Sequence, residues 1–342
     1  MGQQAAHQGG AIPYEVDQPR LERNAYSAGC LAVTVVVCAY SKLRWQQTRA
    51  ALESVLAQNP GPGQILLVVD HNADLAELAR HEFRKVAVLE SAGPPGLSGA
   101  RNTGLLAATQ PITVFLDDDA EARPGWLASL VGPFRYPAVV ATGGNVQPKW
   151  PGFRPCWLPP AFYWVVGCSY LGLPGSTAAI RNPIGANMSL RTDLAIAVGG
   201  FSSLIGRVGS NTRGGEETEL AIRLTARQPG SVILYVPGAT VDHSVGRERL
   251  RIGYFMRRCW HEGRSKATVV RLVGASVGLR CERLHIAAVI PAALLRDLRS
   301  CVTGDMSGCL RVAVSLAGLA AALTGYLTGR VSLAGRSARL GD

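Results

Sequence analysis

The chain has 342 residues, 47% of them hydrophobic and 17% charged, with a net charge of +11. That is enough apolar material for a full core in one large domain or two. The basic excess suits an anionic membrane surface or phosphorylated ligands, and with no RNA- or DNA-binding motif present nucleic acid is set aside as a partner. Residues 1–29 are polar and glycine-rich and read as a flexible tail. They hold no basic segment leading directly into an apolar one, so no cleaved signal peptide is expected. From residue 31, "LAVTVVVCAY" is a β-branched run that predicts a strand buried on both faces. In "SKLRWQQTRAALESVLAQN", Trp45, Thr48, Leu52, Val55 and Leu56 recur at helical spacing until Asn59-Pro60-Gly61 stops the helix. "QILLVVD" (64–70), "KVAVLE" (85–90) and "ITVFL" (112–116) predict three more strands, with helices over 74–83 and from 99.

This alternation predicts an α/β domain whose sheet is largely parallel, with ligands held beyond the carboxyl ends of the strands. Tyr40, Asp70 and Asp117–Asp119 fall at such ends. "GPPGLSG" (93–99) lacks the Gly-Lys-Ser/Thr ending of a phosphate-cradling loop and reads as a flexible connection. Residues 147–175 are dense in Pro, Gly and Trp and read as a long loop. A glycine turn and helix follow over 180–201, an acidic helix start over 214–228, and strand and turn over 231–245. The eight cysteines form no CxxC pair and read as reduced, mostly packed thiols.

Beyond residue 245 the chain turns basic and helical. Two runs, 284–295 and 312–329, carry no Asp, Glu, Lys or Arg. The second would be roughly 27 Å long as a helix, just enough to span a thin hydrocarbon layer. It is rich in Ala and Gly, and the first run contains Pro291. A membrane-associated helical hairpin, embedded or interfacial, is therefore expected over two clean spans. The chain divides into a tail (1–29), a catalytic domain (30–245) and a helical, membrane-associated region (246–342).

Three adjacent carboxylates repel one another. At the mouth of a sheet they are tolerable if a divalent cation such as Mg²⁺ or Mn²⁺ neutralises them and shares its coordination with substrate phosphates. Asp70, a second acidic cluster at Glu216-Glu217-Thr218-Glu219 and His243 after an apolar strand complete the set. Together they supply a metal site, a nucleotide clamp and a general base.

The segments "VVVCAYSKLRWQQTRAALESVLAQ", "ILLVVDHNADL", "GLSGARNTGL", "VFLDDDAEARPGWL", "IGANMSLR" and "GGEETELAIRL" occur in an order that resembles glycosyltransferase family 2, inverting enzymes of GT-A fold. "YWVVGCSY" and "YFMRRCWHEGRSKA" are similar to members acting on lipid-linked or exopolysaccharide acceptors. The resemblance implies a nucleotide-binding role for Ala39, Tyr40 and Asp70, with Asp70 accepting from a uracil-type base. It places Arg101, Asn102, Asp117 and Asp118 on the nucleotide-sugar, and Asp119 and His243 on the metal. Glu217 stands where the family usually has an aspartate base, and Glu216 precedes it, so either could act. The QxxRW motif of processive members is absent, which implies one sugar per binding event. Arg257, Arg258 and Trp260 are candidates for pyrophosphate or lipid headgroups; Trp157, Trp164 and Tyr170 stack on an acceptor or simply pack.

The implied function is metal-dependent sugar transfer, with inversion, from a UDP-type nucleotide-diphosphate sugar to a lipid-linked or glycan acceptor on the cytoplasmic face of the membrane. Two rivals are a sugar nucleotidyltransferase and a non-catalytic nucleotide-sugar sensor or scaffold. The first wants a glycine in "CAYSKLRW", which has none.

Overall fold

The computed structural model describes residues 31–203, 205, 214–274 and 279–338, and the tail expected over 1–29 lies outside them. In chain order its elements begin with β1 (Leu31–Ala39), α1 (Trp45–Leu56), β2 (Pro62–Val69), α2 (Ala73–Glu82), β3 (Ala87–Glu90), α3 (Leu97–Ala107), β4 (Ile112–Asp117) and β5 (Ala120–Ala122). They continue with α4 (Trp126–Val131), β6 (Val139–Lys149), β7 (Ala178–Ile180), β8 (Asn187–Arg191), α5 (Thr192–Ala197), α6 (Glu216–Arg227) and β9 (Val232–Ser244). The nine strands form one sheet in the order β3-β2-β1-β4-β8-β6-β9-β5, with β7 paired to β9.

β3, β2, β1 and β4 are mutually parallel, as the alternation of strand and helix predicts. β8 then runs antiparallel to both β4 and β6. The sheet's two faces follow the period-2 alternation of β1. Val33, Val35, Val37 and Ala39 join a core with α1, α2 and α4, whereas Val36 joins the opposite core with α3, α5 and α6.

The sequence suggests no strand over β6 or β8, because both bury polar side chains. Thr142, Asn187 and Ser189 are fully buried. Thr142 and Ser189 share a hydrogen bond of 2.6 Å. Asn187 accepts from Trp126 Nε1 at 2.8 Å and donates to the Ala239 carbonyl at 2.9 Å. Each group has its partner, so burial costs little. Residues 147–175 are likewise more packed than the expected loop: β6 runs to Lys149, and a 3₁₀ turn, Pro160–Val166, buries Ala161, Phe162, Val165 and Val166.

After β9 come α7 (Ile252–Val273), a short α8 (Arg280–Leu284), a π-helical turn, then α9 (Ile290–Val302) and α10 (Ser307–Ala338). Phe255, Cys259, Ile290, Ala293 and Val314 from these helices belong to the same core as α1, α2 and α4. The helical region and the sheet domain thus share apolar packing across residue 245. A disulfide joins Cys301 to Cys309, correcting the expectation of unpaired thiols there. The turn between α9 and α10 brings their Cα atoms to 6.0 Å, within bridging reach.

Candidate active site

Parallel pairing puts the carboxyl ends of β1, β2 and β4 at one edge of the sheet, where the Asp70 amide donates to the Ala39 carbonyl at 2.8 Å. The Asp70 carboxylate is fixed on both sides. One oxygen accepts from the Gly96 amide at 2.8 Å and the other lies 2.7 Å from His71 Nδ1. Gly96 has φ +123°, a conformation that favours glycine and lets this loop turn its amide onto the carboxylate. Tyr40 stands exposed at the same edge, with the Arg44 guanidinium 5.5 Å from its ring centre.

β4 ends in Asp117, and β5 then turns back against β9, placing Ala120 opposite His243. This register brings the third aspartate to the histidine. Asp119 Oδ1 lies 3.2 Å from His243 Nε2, and the Ser244 amide donates to the Asp119 carbonyl at 2.8 Å. Ligand atoms of Asp117, Asp119 and His243 all lie within 4.8 Å of one another. Two carboxylates and an imidazole are a donor set that suits a divalent cation such as Mn²⁺ or Mg²⁺.

Two arginines reinforce the cluster. Arg44 reaches Asp118 at 2.7 Å and Asp119 at 2.5 Å, and Arg249 reaches Asp119 at 3.4 Å. Burial alone would raise the Asp119 carboxyl, but His243, Arg44 and Arg249 hold it well below the usual carboxylate range. Asp118 goes the other way. Burial pushes it up to about 8 despite Arg44, with repulsion from Asp119 and Asp117 adding to the rise. Its Oδ2 is buried without a hydrogen-bond partner.

A second ionic knot joins α3 to α6. Arg101, 1% exposed, approaches Asp117 at 3.3 Å, Glu217 at 3.2 Å and Glu216 at 3.5 Å. Burial works against its charge, but Glu217, Asp117 and Glu216 outweigh that and hold the proton more firmly. Gly215, at φ +105°, opens α6 and places both glutamates in the first turn, where the helix dipole favours them. Glu216 is buried; the Glu217 side chain keeps 18% of its surface open. Gly185 packs directly against Glu217 and Arg101, and a Cβ there would overlap the carboxylate.

Of the residues expected at the site, Ala39, Tyr40, Asp70, Asp117, Asp119, Arg101, Glu216, Glu217 and His243 come together at or beneath this edge. Asn102 does not present its amide to the cleft. It donates to the Phe201 carbonyl and accepts from the Phe201 amide, both at 2.8 Å, and the Phe201 ring carries the Arg101 guanidinium 5.3 Å from its centre. Trp157 packs edge-on against Phe255, and Arg258 lies over Trp164 and pairs with Glu262 at 2.8 Å. Arg44, Arg249 and Gly185 also belong to the site, although nothing in the sequence marks them. Their basic or small character carries no signal until the fold sets them beside Asp119 and Glu217.

The chain matches the description "Glycosyl transferase family 2" over residues 34–199. It is 33% identical over 240 residues to the glucosyl-dolichyl phosphate glucuronosyltransferase of Haloferax volcanii, covering 69% of this chain and 76% of that one. The chain belongs to glycosyltransferase family 2. It is a glycosyltransferase using a nucleotide-sugar donor. A shorter match, 31% identity over 193 residues, links it to the pre-mycofactocin glycosyltransferase of Mycobacterium tuberculosis, covering 54% of this chain and 37% of the other. In fold, the glycosyltransferase matches a mannosyltransferase from Pyrobaculum calidifontis solved with GDP-Man and Mn²⁺ (TM-score 0.55, 17% identity, 94% of this chain and 84% of that). It also matches GalNAc-T7 solved with UDP, GalNAc and Mn²⁺ (TM-score 0.51, 16% identity, 77% of this chain and 55% of that). These likenesses establish the GT-A fold.

Proposed function

We propose that this glycosyltransferase moves one sugar, with inversion, from a UDP-linked donor to a lipid-linked or polysaccharide acceptor at the cytoplasmic face of a membrane. In this reading residues 30–245 catalyse and residues 246–342 hold the enzyme at the membrane. The observation that carries it is the continuity of the two ionic knots. Asp117 belongs to the aspartate–histidine group and also touches Arg101, which in turn touches Glu217. In this reading the leaving-group site and the base lie on either side of one buried cation, Arg101.

Asp70, already fixed by Gly96 and His71, accepts from the nucleotide base, while Ala39 and Tyr40 line its pocket. Asp117 meets the ribose or sugar. Asp118 acts at one remove from the nucleotide-sugar, sharing Arg44 with Asp119. Asn102 acts at one remove, holding Phe201 under Arg101. Glu217, the more open of the two glutamates, takes the proton from the acceptor hydroxyl as that oxygen bonds to the anomeric carbon. The bond from that carbon to the diphosphate oxygen breaks on the opposite face, so configuration inverts. Asp117, Asp119 and His243 would hold a divalent ion, which when bound would offset the charge developing on the departing diphosphate. Arg44 and Arg249, which share Asp119, have the same diphosphate as an alternative partner.

The name of the Haloferax volcanii relative supports a lipid-phosphate acceptor and a hexosyl or hexuronosyl donor. The test is a screen of nucleotide sugars with Mn²⁺ or Mg²⁺, scored by nucleotide release. Release from a UDP-sugar that stops in excess chelator is expected. Folded protein that releases nothing from any donor, with any acceptor, would make it a sensor or scaffold instead.

A further inference from the structure

α10 contains the one helix segment among the described residues, Ser307–Val331, that is long and apolar enough to cross a membrane; 28% of its apolar window is buried inside the protein. Its packing argues against crossing. Along one side it carries glycines that fit onto α7: Gly318 meets Phe255, Gly325 meets the Trp260 backbone, and Gly329 meets Arg264 and Ala267, while Gly263 of α7 meets the Ala322 carbonyl. The two helices therefore run side by side at the same depth. Over that stretch α7 bears Arg257, Arg258, Glu262, Arg264 and Lys266. Carrying α10 through a hydrocarbon core would take this charged helix with it, at a heavy cost for each ionised group.

The other side of α10 is exposed and apolar. Leu310, Leu316, Leu323, Leu327 and Val331 follow one another at intervals of six, seven, four and four residues, which at 3.6 residues per turn keeps them on one broad helical face. Its two threonines do not need water. Thr324 donates to the Ala320 carbonyl at 2.8 Å and Thr328 to the Thr324 carbonyl at 2.9 Å. On α9, exposed Leu295, Leu298 and Val302 alternate with exposed Arg296 and Arg299, and Arg330 stands exposed near the far end of the α10 stripe. Apolar residues interleaved with arginines complement an anionic bilayer, with side chains in the acyl region and guanidiniums at the phosphates.

We propose that α10 lies in the plane of an anionic bilayer, its leucine face in the boundary between headgroups and acyl chains, and does not span it. This rests on the membrane association proposed above and gives it a geometry. Because α7 and α10 share a core with α1, α2 and α4, the catalytic domain rides on the same surface.

The full chain is tested by flotation with sealed vesicles of phosphatidylcholine, with or without phosphatidylglycerol. Binding at least tenfold stronger to the anionic vesicles is expected. The double substitution Leu316→Asp, Leu323→Asp should lower it at least tenfold while UDP binding by calorimetry is kept. An epitope placed after Asp342 should be reached by protease from the same side as the catalytic domain. An epitope on the opposite side means that α10 spans, and overturns the inference. So does undiminished flotation of the double variant, or a leucine-dependent dimer with no affinity for vesicles, which would make a second copy the occupant. None of these readouts involves sugar transfer. A chain that floats as described but transfers nothing refutes the proposed function and leaves this inference standing.

Discussion

Arg101 and Glu217 stand 3.2 Å apart although 116 residues separate them in sequence. One buried guanidinium thus serves three carboxylates, Asp117, Glu216 and Glu217, drawn from β4 and α6. Removing one partner of a buried ionic group leaves the rest uncompensated. Arg101→Met is expected to destabilise the fold by about 3–5 kcal/mol, read as a lower midpoint in urea. Arg101→Lys should recover part of that stability but little turnover, because an ammonium cannot fork across three acceptors. Should Arg101→Met unfold at the wild-type midpoint, the knot contributes nothing to stability and its role is chemical alone.

Glu217→Gln preserves shape and removes the proton acceptor. Donor binding should persist while turnover falls by roughly 10²–10⁴-fold, the usual worth of general base catalysis. Calorimetry with UDP beside a nucleotide-release assay separates the two effects. Glu216 is buried, so Glu216→Gln should act mainly on stability. A dead Glu216→Gln with an active Glu217→Gln would move the base by one residue.

Asp119→Ala removes the carboxylate shared by His243, Arg44 and Arg249. Metal-dependent UDP binding and transfer should be lost together, and chelator should have no further effect on the variant. Wild-type turnover in excess chelator would take the metal out of the mechanism.

The parallel half of the sheet was legible because β1, β2 and β4 are runs of apolar residues ended by Asp or Tyr. The acidic half of the site followed from those endings. β8 was not legible, since Asn187 and Ser189 look like turn residues until their partners on other strands are known. Arg44 and Arg249 were hidden for a related reason. A basic chain has many arginines, and only the turn from β4 through β5 to β9 sets these two beside Asp119. The disulfide shows the same limit, because Cys301 and Cys309 meet only where α9 turns into α10.

Acid should loosen the helical region through a separate network. Lys266 lies 3.2 Å from Glu262 and 2.7 Å from Glu282, Arg258 pairs with Glu262, and Arg181 pairs with Glu282. Burial alone would raise both glutamates, yet Lys266 with Arg258, and Lys266 with Arg181, hold them at about 2 against an ordinary 4.5. A depressed carboxylate stabilises the fold above its unfolded value and loses that contribution as pH falls. The loss should therefore run from about pH 4.5 down to about 2, on the order of a few kcal/mol for the pair. Urea midpoints across this window should show it. Lys266→Met should lower stability at pH 7 and flatten the acid limb; an unchanged limb would remove the network from the account.

The α7–α10 seam gives the last expectation. Gly325 of α10 abuts the Trp260 backbone, and a Cβ there would overlap its carbonyl. Gly325→Leu must push the helices apart, and overpacking of this kind costs about 1–3 kcal/mol. A lowered melting temperature is expected, with weaker vesicle binding because the leucine stripe loses its fixed support. UDP binding should survive, since Asp70, Asp117, Asp119 and His243 all precede α7 in the chain and are anchored by the sheet. Ala320→Leu is the control. It lies on the exposed side of α10 and adds apolar surface without touching α7, so it should leave melting unchanged and strengthen flotation. If both substitutions lower melting equally, the two sides of α10 are equally packed and no free face remains to meet a bilayer.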